Sequence, residues 1–170
     1  AVLVRANEQV EQASEWLLGE PLPGGEAVPV RSEKTMHVMQ HPIVKEVCAL
    51  LSFLANPADD ISFVSFITGE LYTAASGVPT AARDAFILSR RDRHEVPLHR
   101  AYAAAFPEEW SRLVEPLHEI VGRRPLYEFL VWALERLGAW RRFPAAAAYL
   151  AKLLELAAAN EEEVATPSSF

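Results

Sequence analysis

Seven apolar-striped segments, most of them opened at or near a proline, fill the chain from residue 41 onward and commit it to helices. His41-Pro42 starts a run in which Ile43, Val44, Val47, Cys48, Leu50, Leu51 and Leu54 recur at helical spacing. A proline is tolerated in the first turn because its missing N–H would have no helical partner there. Asn56-Pro57-Ala58-Asp59-Asp60 is a turn that also supplies a cap, and Ile61, Val64, Phe66 and Ile67 carry the next helix. Residues 80–91, 97–106, 107–121, 125–137 and 144–160 each begin at or near Pro, Thr or an acid and carry an apolar stripe, with Gly122 and Gly138 marking helix ends. No heptad persists through several turns, so the spacing predicts a mainly α fold, an orthogonal helical bundle rather than a coiled coil. Trp110, Trp132, Trp140, Phe129 and Tyr149 are expected to anchor its core.

The N-terminus reads differently. Ala1-Val2-Leu3-Val4 is a strand running into Arg5, and Asn7 can cap a helix that places Val10, Ala13, Trp16 and Leu17 on one face. Glu8 and Glu11 suit the positive end of that helix. Two prolines and two adjacent glycines make 19–27 a loop, and Val28-Pro29-Val30-Arg31-Ser32 is a short return strand that Pro29 confines to an edge. The expected organisation is a small strand-helix-strand (βαβ) piece over 1–32 and a helical unit over 33–170.

Composition narrows the class. With 170 residues, 51% hydrophobic and 23% charged, the chain can bury one domain, or one domain with an appended lobe. No apolar run approaches a membrane span, since Ser52 interrupts the longest, and no basic leader precedes a signal-type core, so a cytoplasmic setting is expected. A start in mid-strand suggests a piece of a longer protein. The single Cys48 excludes an internal disulfide and is expected to pack as a small hydrophobe. The net charge of −7 argues against nucleic-acid binding by an overall positive field and leaves room for a local basic strip.

Two stretches carry a resemblance. The strand followed by Val4-Arg5-Ala6-Asn7-Glu8-Gln9 and an amphipathic helix resembles the segment that opens the second half of UvrD-like superfamily-one DNA helicases, including helicase-nuclease subunits of the AddA and RecB type. The His41-Pro42 helix, its Leu-rich middle and the Asn56-Pro57-Ala58-Asp59 turn into another apolar helix resemble the start of their helical 2B subdomain. The resemblance implies that 1–32 belongs to the second RecA-like motor domain and that Arg5 and Asn7 reach the backbone of single-stranded DNA. It also implies that the parent protein uses ATP and Mg²⁺. Read without it, Arg5 is a strand-end arginine paired with Glu8 or Glu11. The connection over 22–27 is longer than is usual in the family.

No catalytic constellation accompanies these segments. A phosphate-cradling loop ending in Gly-Lys-Thr or Gly-Lys-Ser is missing, the seven glycines are scattered, and Gly24-Gly25 is followed by Glu26-Ala27. Asp59-Asp60 is explained by capping rather than as nuclease acids, His37 and His41 lack a third metal ligand, and no Gly-x-Ser-x-Gly elbow exposes a nucleophile. The fragment is therefore expected to have no catalytic residue, no metal site and no cofactor of its own. The basic stretch over 83–100, with Arg83, Arg90, Arg91, Arg93 and Arg100, has two readings: a contact for duplex phosphates, or a solvated helix end diluted by Asp84, Asp92 and Glu95. Arg123-Arg124 and Arg141-Arg142 admit the same pair of readings.

Taken together, the sequence describes a DNA-contacting accessory fragment of an ATP-dependent helicase or helicase-nuclease serving repair or recombination, with Arg5, Asn7, Arg90, Arg91 and Arg93 as its DNA-binding candidates. Its partners would be single-stranded or junction DNA, the other domains of the parent, and a nuclease or helicase partner subunit, with no membrane. The alternative is a helical protein-protein interaction module with no nucleic-acid role.

Overall fold

The computed structural model of the protein describes residues 38–91 and 95–165, and side chains as far as Glu161. The chain divides into two compact units, 1–39 and 40–170, and the elements α1 to α10 below all belong to the second. The strand-helix-strand piece expected over 1–32 lies outside the described residues. Among the described residues every regular element is helical.

Helix α1, Pro42–Ala55, starts where the sequence places it: His41 is extended and Pro42 occupies the first turn. It stops where the Asn56 N–H closes on the Ser52 carbonyl at 2.9 Å. Its inner face buries Ile43, Val44, Val47, Leu50, Phe53 and Leu54, and also Glu46. The Asn-Pro turn hands over to α2, Asp60–Ile67, whose cap is Asp59: one carboxylate oxygen accepts the Ile61 and Ser62 N–H groups, each at 3.1 Å. Asp60 reaches further and accepts the Leu98 N–H at 3.2 Å, tying the start of α5, Leu98–Ala105, to the start of α2.

Between them lie α3, Glu70–Ala75, which sequence spacing did not suggest, and α4, Thr80–Ser89. The apolar segment over 107–121 is helical but not uniform: α6, Pro107–Glu109, widens into a π-helical turn, Trp110–Val114, before α7, Glu115–Ile120. Pro116 explains the widening. Its ring would collide with the Arg112 carbonyl of a regular α-helix, and it has no N–H to offer that carbonyl. The Glu115 N–H bonds Trp110 instead, in the π pattern, and the freed Arg112 carbonyl accepts from Arg136 Nη2 at 2.7 Å.

Helix α8, Leu126–Arg136, ends on Gly138, which takes the left-handed conformation (φ +70°) that a side chain would strain. Then come the short α9, Ala139–Arg142, a 3₁₀ turn over Pro144–Ala146, and α10, Ala147–Ala165. Helix α1 packs most extensively against α2 and also against α3 and α10, α2 meets α5, and α8 lies against α10. Phe53, Phe63, Phe66, Tyr72 and Tyr102 are completely buried at this centre, with Phe63 edge-on to Tyr102 and Phe66 edge-on to Tyr72. Each such side chain contributes about 1.5–3 kcal/mol of burial. Of the expected anchors, Phe129 is buried, whereas Trp110, Trp132, Trp140 and Tyr149 are half-buried, as is Cys48. No described helix is long and apolar enough to cross a membrane.

Candidate functional site

Of the basic stretch that the sequence singles out, Arg83 is not at the surface. Arg83 lies three and four residues before Phe86 and Ile87, on the inner face of α4, and is completely buried. Its Nη2 donates to Thr73 Oγ1 at 2.7 Å and Thr80 Oγ1 at 3.2 Å, and its guanidinium sits 5.5 Å over the Tyr72 ring. Arg83 is thereby removed from the phosphate-contacting candidates. Arg90 follows α4 directly and is half-buried, with Nε shut away from solvent. Arg91 and Arg100 are exposed, and Arg93, Arg5 and Asn7 lie outside the described residues.

What the structure gathers instead is a buried polar cluster around α3. Glu46, projecting from α1, accepts the Leu71 N–H at 2.8 Å and the Tyr72 N–H at 2.6 Å, so one carboxylate caps a helix that begins twenty-odd residues later. Gly69 makes this possible: a β-carbon there would stand 2.1 Å from the Glu46 carboxyl carbon. At the far end of α3, Glu109 accepts from Ser76 Oγ and from the Gly77 N–H at 3.1 Å, while Arg112 pairs with it at 3.1 Å. Tyr72 and Tyr102 close the space between, their hydroxyls 3.3 Å apart. Arg83 brings a cation into this interior, and its Nε and Nη1 have no hydrogen-bond partner among the described residues.

Burial pushes the Glu46 carboxyl up to about 7, reinforced by Glu70 and opposed by the two amides and by Arg83. Burial likewise raises the Tyr72 and Tyr102 hydroxyls above the usual phenol range. A carboxyl near 7 is in the range a general base needs, and Glu46 borders an open cleft of about 300 Å³ between Pro42, Ser65 and Thr68. Yet both its oxygens are taken by amides and Gly69 is packed onto the carboxyl carbon, which makes it a cap and not a base.

A second group joins α5 to α7. His99 and His118 flank Trp110 with ring centroids 6.2 and 5.9 Å away, and His99 Nδ1 and His118 Nε2 are enclosed without partners among the described residues. Burial lowers both imidazoles below their ordinary range, helped by Arg100 at His99 and by His99 at His118, so they pack as neutral aromatic rings. His41 stacks on Tyr149 at 4.2 Å. No group of three or more His, Cys, Asp or Glu side chains is placed to hold a metal among the described residues.

Sequence reasoning missed the α3 cluster although a signal existed. Glu46 stands three residues after Ile43 and four before Leu50, and Glu109 four before Leu113, so helical periodicity already assigns both acids to apolar faces. Compared with protein-family models, with curated proteins and with solved structures, the chain matches none.

Proposed function

We propose that the chain is a DNA-contacting accessory fragment of an ATP-dependent DNA helicase or helicase-nuclease, acting in the cytoplasm in repair or recombination. In this reading 1–32 is a strand-helix-strand piece of the second motor domain and 33–170 an orthogonal 2B-like bundle. The observation that carries it is the order of two resembling segments, Arg5-Ala6-Asn7 after an apolar strand and then the His41-Pro42 helix with its Asn-Pro-x-Asp turn. The second of these folds as α1, an Asp59-capped turn and α2. The arrangement of exposed arginines is compatible with a local rather than a global contact, given a net charge of −7. ATP and Mg²⁺ would be bound by other parts of the parent, and a nuclease or helicase subunit would be its partner.

Arg5 supplies a fixed positive fork for a phosphate and Asn7 an amide for its neighbour, contacts that position a strand without reading its sequence. The test belongs in the full-length parent. There Arg5→Ala should weaken single-stranded DNA binding about equally for all sequences and lower the salt slope by roughly one unit. DNA-independent ATP hydrolysis should stay nearly intact. Unchanged affinity together with a lower melting temperature would make Arg5 an ion-pair partner of the first helix instead. A parent reading frame with no Gly-Lys-Thr or Gly-Lys-Ser loop would sink the helicase reading outright.

A further inference from the structure

We propose that the turn joining α8 to α9 is a landing site for single-stranded nucleic acid, with Arg141 and Arg142 holding phosphates and the Trp132–Arg136 stack supporting an unpaired base. The inference rests on the nucleic-acid reading above and assigns the contact to a place that reading does not name.

Three arginines, Arg136, Arg141 and Arg142, fall within seven residues at the C-terminal end of α8. Arg136 closes the helix, and its guanidinium is fixed twice: Nη2 donates to the Arg112 carbonyl at 2.7 Å, and the group lies 5.5 Å over the Trp132 ring. Two residues on, Gly138 leaves a bare left-handed turn. The Arg142 Nε and the Arg141 Nη2 lie 3.1 and 3.9 Å from where a side chain on Gly138 would begin. Arg136, Arg141 and Arg142 are all exposed. Among the described residues no carboxylate comes within ion-pairing distance of any of them, whereas Arg112 has Glu109 and Lys152 has Glu155.

These side chains are not needed to finish the helix. Two of its last carbonyls, those of Ala133 and Glu135, are already closed by the Leu137 and Gly138 N–H groups, each at 2.9 Å. Two guanidinium forks, without a carboxylate partner among the described residues and set close over Gly138, can match the geometry of phosphate oxygens. A guanidinium 5.5 Å over an indole ring offers a cation–π surface to a base, which a single strand can present and a duplex keeps stacked inside. Because the whole chain is acidic, the attraction is confined to this turn and falls steeply with salt.

The experiment is fluorescence anisotropy of a labelled twenty-nucleotide (about 20) oligo-dT with the 170-residue chain, titrated from low salt upward. Wild type should bind at low salt. Arg141→Gln with Arg142→Gln should weaken binding roughly tenfold or more and reduce the salt slope by about 1.4, from about 0.7 per phosphate contact on single strands. Arg141→Lys with Arg142→Lys keeps both charges but loses the forks, so it should keep the salt slope while binding more weakly than wild type and more tightly than the glutamine pair. Equal circular dichroism melts for the variants establish that only the surface has changed. Tighter binding of a duplex of equal length, or equal binding of an abasic strand, would overturn the single-strand platform. If the glutamine pair binds like wild type, or wild type does not bind at all, the site assigned here is wrong. The helicase reading then still stands or falls on Arg5 and on the parent's nucleotide loop.

Discussion

Glu46 gives this fold a pH dependence near neutrality. Its carboxyl is raised from 4.5 to about 7, chiefly by burial, so the folded chain holds this proton more tightly than the unfolded one. The stabilising contribution is therefore fully present below about 4.5 and is lost as the pH rises through about 7. Converted at 1.36 kcal/mol per unit, the span is of order 3 kcal/mol. His41, His99 and His118 work in the opposite sense. Their folded pKa values lie below 6.5, so their contribution is present above it and lost on acidification. The wild-type profile mixes the two, but the difference from Glu46→Gln isolates the acid. In urea denaturation, wild type should lose stability relative to this variant between pH 5 and pH 8, about 3 kcal/mol at most, and a constant difference would show that Glu46 does not titrate there. Gly69→Ala tests the same contact by geometry. A β-carbon 2.1 Å from the carboxyl must push it off the Leu71 and Tyr72 amides. The expected cost is about 1–3 kcal/mol for each amide left unpaired, and it should shrink in a Glu46→Ala background, where nothing remains to displace.

At the scale of the helix, the irregular turn over Trp110–Val114 is a trade between one proline and one arginine. Pro116 withholds a donor from the Arg112 carbonyl, and Arg136, from α8, replaces it at 2.7 Å. Pro116→Ala restores a local N–H, so Arg136→Ala should cost about 0.5–1.5 kcal/mol in wild type and clearly less in the Pro116→Ala chain. Additive costs in that double-mutant cycle would show that the two residues do not share the carbonyl. The same contrast between local and remote causes explains what the sequence reveals. Helix α1, the Asp59 cap and the glycine stops are legible because proline position, apolar period and capping chemistry act within a few residues. Helix α3, with six residues, is too short to be stable by its own propensity, and its ends are held from far away in the chain, by Glu46 at the first amides and by Arg112, paired with Glu109, at the Ala75 carbonyl. Arg83 reads as part of a basic surface until its spacing to Phe86 and Ile87 is weighed above its charge. The approach of Arg141 and Arg142 to Gly138 depends on a left-handed glycine and on α9, a four-residue helix without a stripe of its own.

On the scale of the whole chain, chemistry and charge point the same way. ATP hydrolysis needs a run of backbone amides and a lysine around the phosphates, with an acid and a hydroxyl for Mg²⁺. The seven glycines of this chain are dispersed, and its one adjacent pair, Gly24-Gly25, leads into Glu26, whose charge opposes a phosphate. The interior acids are committed elsewhere: Glu46 holds the start of α3, Glu109 the residues just after it, and Asp59 and Asp60 the starts of α2 and α5. The purified chain should accordingly release phosphate from ATP no faster than a buffer blank, with or without single-stranded DNA and Mg²⁺. The binding predicted at the α8–α9 turn should be unaffected by added nucleotide, because the sequence offers no loop that would cradle the nucleotide's phosphates. Mg²⁺-dependent turnover that co-purifies with the chain through successive columns, and that falls on Glu109→Gln at unchanged stability, would mean that the α3 cluster is a catalytic centre and that the accessory reading is wrong.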